Sequence, residues 1–124
     1  MQPKISDFGL ARLFSGSQTQ GNTKRIAGES GYRAPEYAKK GHFSTKSDVY
    51  SFGILVLEIV TGQKISSFRN SINLQSCVSM LAWRHWTNGK ALELADPTLG
   101  GQRPENEILK CIHIGLLCVQ EAGC

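Results

Sequence analysis

Long apolar runs are missing from this 124-residue chain. No stretch approaches the ~18 residues needed to span a bilayer, and the N-terminus has no basic-then-apolar leader pattern, so the expectation is no direct membrane insertion. Paired cysteine motifs are missing too. Cys77, Cys111, Cys118 and Cys124 form no CxxC and have no matching histidine pair, which leaves neither a zinc site nor a disulfide framework. Cys111 and Cys118 stand two helical turns apart, about 10 Å, beyond the reach of one disulfide. The four thiols are therefore expected to be small apolar core residues in a reducing compartment. Aromatics make up only 8%, and the formal charge of +4 is dispersed, with Lys24-Arg25 and Lys39-Lys40 the only basic doublets. A basic stripe interleaved with aromatics would be needed for nucleic-acid binding, and none is present.

What is present is a hydroxyl-rich stretch between two tripeptides. Asp7-Phe8-Gly9 opens it, Ala34-Pro35-Glu36 closes it, and Gly31-Tyr32-Arg33 lies just before the end. Leu10 to Phe14 alternates loosely between apolar and polar and predicts a short strand. Ser15 to Thr23, with Gly16 and Gly21 and almost no apolar side chain, predicts a mobile loop. Ala34 to Lys40 can form two helical turns that stop at Gly41. Ser44-Thr45 offers an N-cap, and Thr45-x-x-Asp48 has the capping-box spacing.

Lys46 to Thr61 is helical in pattern but apolar on nearly every side, carrying Val49, Phe52, Ile54, Leu55, Val56, Leu57, Ile59 and Val60. Such a helix is expected to be covered all round. Gly62 suits a left-handed C-cap. Leu74, Cys77, Val78, Leu81, Ala82 and His85 then follow helical spacing up to Asn88-Gly89. Ala91 to Ala95 allows at most one short turn. Pro104, Glu105 and Glu107 favour a helix start, with Ile108, Cys111, Ile112, Gly115, Leu116 and Val119 as its buried stripe.

The two tripeptides, in this order and followed by Lys46-Ser47-Asp48-Val49-Tyr50-Ser51-Phe52-Gly53, resemble the activation segment and central helix of a eukaryotic-type protein kinase. Ala82-Trp83-Arg84-His85-Trp86 and Ile112-His113-Ile114-Gly115-Leu116-Leu117-Cys118-Val119-Gln120 narrow the resemblance to plant receptor-like serine/threonine kinases of the cysteine-rich group. It covers residues 1–121 and leaves 122–124 as a tail. The fold it implies is mainly α, a partial kinase large lobe with a short N-terminal β segment and an activation loop. Residues 7–36 would be the activation segment, 46–61 a central buried helix, and about 74–88 and 104–120 two further helices. A complete kinase domain is roughly twice this size, so the resemblance implies a fragment that starts at Asp7's own lead-in, Met1 to Ser6.

The resemblance also assigns roles. Asp7 would bind the Mg2+ that bridges the ATP phosphates, because a carboxylate is a hard ligand for a hard cation. Phe8 and Gly9 would complete the nucleotide-side motif. Ser15, Ser17, Thr19, Thr23 and Ser30 would include regulatory phosphoacceptors, with phosphate pairing to basic groups such as Arg25. Pro35, Glu36 and Asp48 would be structural, with Glu36 pairing to an arginine near the end of the family's domain. Where the family usually has threonine, this chain has Glu29, a carboxylate that should repel a catalytic aspartate and disturb its pKa.

No glycine-rich loop, ATP-lobe lysine, catalytic-loop aspartate or second Mg2+ ligand occurs in the 124 residues. The expectation is ATP and Mg2+ in a full-length parent, no tight binding of either by this fragment, and no phosphoryl transfer from it alone. Protein substrates or a receptor kinase would be its partners, at the cytosolic side of the plasma membrane if it belongs to a receptor. A second reading stays open: a non-catalytic interaction module or a dominant-negative fragment. Stability should be marginal, because each large side chain of the central helix left uncovered forgoes about 1.5–3 kcal/mol.

Overall fold

The computed structural model describes residues 1–64, 74–99, 101 and 104–120, with side chains of the third helix described from Ser79 onward. In chain order the regular elements are β1 (Gln20–Asn22), α1 (Pro35–Lys40), β2 (His42–Ser44), α2 (Thr45–Thr61), α3 (Leu74–Thr87) and α4 (Glu105–Cys118). Short 3-10 turns lie at Phe8–Leu10, Ser30–Tyr32, Ala91–Leu94 and Pro97–Leu99. The chain is mainly α with a short β component, as the resemblance implies.

Local chemistry explains where the helices start and stop. Pro35 occupies the first turn of α1, where its missing N–H costs nothing, and Gly41 ends the helix in the left-handed region at φ 67°. At the start of α2, Ser44 is the N-cap and its N–H donates to Ser47 Oγ at 3.1 Å. The capping box is thus Ser44 with Ser47, one residue earlier than the expected Thr45 with Asp48. Gly62 closes α2 at φ 67°. Beyond it, the Asp96 N–H donates to Val60 O at 2.8 Å, so the loop after α3 satisfies a carbonyl in the last turn of α2.

The core forms where α2 packs along α4, with α3 and the Ala91–Leu94 turn closing one side. Ile54, Leu57, Ile112 and Leu116 are its fully buried large side chains, and Tyr50, Val60, Ala82 and Leu94 extend it. Burial of this kind supplies most of the stability of a small α domain, at about 25 cal/mol per Å2 of apolar surface.

Three expectations are corrected. The strand expected at Leu10 to Phe14 is not there: residues 11–15 are irregular and mostly exposed. The strand forms at Gln20–Asn22 instead, inside the expected loop, because there the backbone meets β2 in antiparallel register, Gly21 opposite Phe43. A strand needs a partner more than it needs alternation. Second, α2 is not covered all round. One face is buried, while Phe52 is 53% exposed and Ile59 64%, with Val49 and Leu55 beside them. Among the described residues α3 and α4 pack on a single side of it, so the apolar composition alone overstated the burial. Third, Cys111 is exposed on the outer face of α4 and Cys118 half-buried, both as free thiols. At helical spacing position 111 lies one turn before Gly115, at the margin of the buried Ile112, Gly115, Leu116 stripe, and there it stays exposed. Cys77 and Cys124, and the side chains of Leu74 and Val78, lie outside the described side chains.

Candidate functional site

The segment from Asp7 to Glu36 meets α2 at Ser47 and Ser51 in its first half and at Glu58 in its second. Asp7 takes a left-handed backbone, φ 61° and ψ 67°, the only described non-glycine residue with positive φ. That conformation is rare for a non-glycine residue, although aspartate tolerates it better than most. Phe8 follows, 69% exposed at the start of a 3-10 turn. Asp7, Phe8 and Gly9 all stand at the surface.

Further along, hydrogen bonds anchor the segment to α2. The Tyr32 phenol donates to Glu58 Oε2 at 2.5 Å, and Ser51 Oγ donates to Tyr32 O at 2.6 Å. The Ala27 N–H donates to Tyr37 Oη at 2.9 Å, and Arg33 Nη2 donates to Gly28 O. At the closing tripeptide, Ser47 Oγ donates to Glu36 Oε1 at 3.2 Å, so the capping serine of α2 also holds the carboxylate of α1. Asp48 is exposed in the first turn of α2, where the helix dipole favours a negative charge.

The result is a cleft of about 790 Å3 between the segment and α2. Gly9, Arg12, Glu29, Arg33, Ser47 and Asp48 all contribute to its wall. Glu29 and Asp48 therefore line one space together with three arginines, Arg12, Arg25 and Arg33. Asp7 and Phe8 are not part of that wall. Of the loop hydroxyls, Ser15, Ser17, Thr19 and Ser30 are exposed, while Thr23 is half-buried with its Oγ1 donating to Arg25 O at 3.1 Å. Among the described residues no group of three His, Cys, Asp or Glu side chains is placed to hold a metal ion.

Tyr32 titrates abnormally. Its hydrogen bond to Glu58, with burial and the nearby Glu58 and Glu29 charges, pushes the phenol up to about 12. A raised folded-state value means stability is fully present below the ordinary phenol pKa and is lost as pH rises through the folded one. The tertiary contribution of this group should therefore disappear between about pH 10 and pH 12. Urea midpoints measured across that window should fall more steeply for the parent chain than for Tyr32→Phe; parallel curves would show that the Glu58 contact carries no linkage.

Sequence reading overlooked Tyr32, Ser51 and Glu58 as a set. The available signal was Glu58 itself, the lone carboxylate in the second half of an otherwise apolar α2.

The helical lobe carries a segment bounded by Asp7-Phe8-Gly9 and Ala34-Pro35-Glu36, and the protein kinase domain family model matches residues 1–107. The chain belongs to the protein kinase domain family. It is 60% identical over 121 residues to cysteine-rich receptor-like protein kinase 34 of Arabidopsis thaliana, and 55% identical over 119 residues to cysteine-rich receptor-like protein kinase 6 of Oryza sativa subsp. japonica. A G-type lectin S-receptor-like serine/threonine-protein kinase of Arabidopsis thaliana is 54% identical over 123 residues. These alignments take in 98%, 96% and 98% of the chain but only 18%, 17% and 14% of the respective relatives. The similarity is thus to kinase segments of plant receptor-like proteins, of which this chain spans under a fifth. No helix among the described residues is long and apolar enough to cross a membrane.

Proposed function

We propose that these residues form the activation segment and part of the large lobe of a receptor-like serine/threonine kinase, which transfers the ATP γ-phosphate to hydroxyls of protein substrates. The observation that carries this reading is the cleft. Residues just after Asp7-Phe8-Gly9, the Glu29–Arg33 turn and the start of α2 converge on one wall, as positioning an acceptor hydroxyl beside a phosphate requires.

Asp7 fits a Mg2+ ligand by chemistry and by exposure. It is a hard oxygen donor standing at the surface. Mg2+ is commonly held by one or two carboxylates together with substrate phosphates. When bound, the ion would neutralise charge on those phosphates. The ATP-lobe lysine and the catalytic-loop aspartate are not among the 124 residues, so the polypeptide by itself should neither hold ATP tightly nor transfer phosphate. In a receptor the segment would work at the cytosolic face of the membrane.

Glu29 acts on the cleft rather than on Asp7. It adds a negative charge to the cleft wall that already bears Asp48, which disfavours a second ionised carboxylate poised to accept a proton.

The test is a graft. Residues 1–121 would replace the matching segment of cysteine-rich receptor-like protein kinase 34, and ATP-dependent phosphorylation of a generic protein substrate would be followed. Transfer is expected above an Asp7→Asn control, and Glu29→Thr in the graft should raise it by about tenfold, the effect of about 1.4 kcal/mol on the barrier. A graft no more active than its Asp7→Asn control overturns the reading. The ungrafted 124-residue chain should show no transfer above Asp7→Ala.

A further inference from the structure

Three separate parts of the segment meet the ring of one residue outside it. Phe43 lies at the middle of β2, in the linker between α1 and α2. Phe14 stacks on it, ring centroids 5.8 Å apart and planes 15° from parallel. The guanidinium carbon of Arg12 stands 6.0 Å from the ring centroid. Gly21 sits opposite Phe43 in the β1–β2 register, so close that a Cβ there would lie 2.6 Å from the ring Cζ. The ladder extends one step further, where the Thr23 N–H donates to Gly41 O at 2.9 Å.

A pair of three-residue strands does not sustain itself in water. Its side chains must hold it, and here they converge on Phe43. Phe43 and Ser44 also line the cleft shared by Arg12, Phe14 and Thr23. Whatever fixes residues 12–23 against β2 therefore fixes one wall of that cleft.

We propose that Phe43 is a positioning residue on which residues 12–22 are seated, and that this seat governs how tightly the protein substrate, rather than ATP, is held. The second half rests on reading Asp7 to Glu36 as an activation segment; the first half does not.

Amide hydrogen exchange on the full 124-residue chain tests the seat. Phe43→Ala should accelerate exchange at Thr23 and across β1 by about tenfold while Ile54 to Val60 of α2 stay within about twofold, and Phe43→Tyr should restore protection. Unchanged exchange at Thr23 overturns the proposal. So does equal acceleration in α2, which would make Phe43 an ordinary stability residue. Should Phe43→Ala fail to fold, a double-mutant cycle decides. Gly21→Ala should accelerate Thr23 exchange by pushing the ring away, and adding Phe43→Leu should recover part of the protection; purely additive effects overturn the seat.

In the kinase graft, Phe43→Ala should raise KM for a peptide substrate about tenfold and leave KM for ATP within about twofold. An active graft without that split overturns the substrate half. An inactive parent graft overturns the kinase reading instead, and the exchange result alone then decides the role of Phe43.

Discussion

Alanine at Gly53 is expected to destabilise the chain, although helix propensity argues the other way. Gly53 lies inside α2 at its closest approach to α4. A Cβ there would sit 2.5 Å from Cys118 Cβ, 2.9 Å from Gly115 O and 2.9 Å from Val119 Cγ1. Two of those obstacles, a Cβ and a backbone carbonyl, cannot rotate away, so the helices would have to separate. Replacing glycine by alanine in a helix gains about 1 kcal/mol of propensity, whereas over-packing a tight contact costs about 1–3 kcal/mol and occasionally more. With rigid obstacles the upper end applies, and the net loss should be about 2 kcal/mol. Small domains have only ~5–15 kcal/mol in total. Gly115→Ala should destabilise as well, because its Cβ would meet Leu57 Cδ2 and Cγ, each 2.9 Å away, on a side chain that is itself fully buried in the core. Urea unfolding followed by helical circular dichroism gives both values; a midpoint for Gly53→Ala at or above the parent's would refute the close crossing.

The second expected result sets two residues of the same helix against each other. Leu57 is fully buried against α4, while Phe52, five positions earlier and just as apolar, is 53% exposed. Leu57→Ala removes packed methyl groups and leaves a cavity whose walls are Ile54, Ile112 and Leu116 neighbours in the same core, at about 2–5 kcal/mol. Phe52→Ala removes a ring already half in water, so its cost should stay below about 1 kcal/mol. Phe52→Lys should be tolerated as well and should reduce self-association of the chain, since Phe52, Leu55 and Ile59 form a contiguous apolar stripe. Equal losses for Leu57→Ala and Phe52→Ala would mean that both faces of α2 are covered in solution. Light scattering on the Phe52→Lys chain separates self-association from intramolecular cover.

Much of the local structure was legible because its causes are local. Pro35 and Gly41 bound α1, Ser44 and Gly62 bound α2, and the spacing of Ile112, Gly115 and Leu116 defines the inner stripe of α4; each rests on interactions within about one helical turn. The kinase character was legible for a different reason, since two tripeptides and their spacing suffice to point to it without any folding argument. The candidate site was only partly legible. Asp7, Glu29, Glu36 and Asp48 stand out as residue types in a motif, but the Tyr32–Glu58 contact joins positions 26 residues apart, and no sequence period reports a separation of that kind.

The sequence by itself determined which segments are helical, which glycines close α1 and α2, and the family to which the chain belongs. The tertiary structure decided which side of α2 is buried, which short segment becomes β1, and which residue holds it. A helix apolar on every side carries no information about its covered face, and a three-residue strand exists only where a second strand offers its hydrogen bonds; both are settled by neighbours that are distant in the chain.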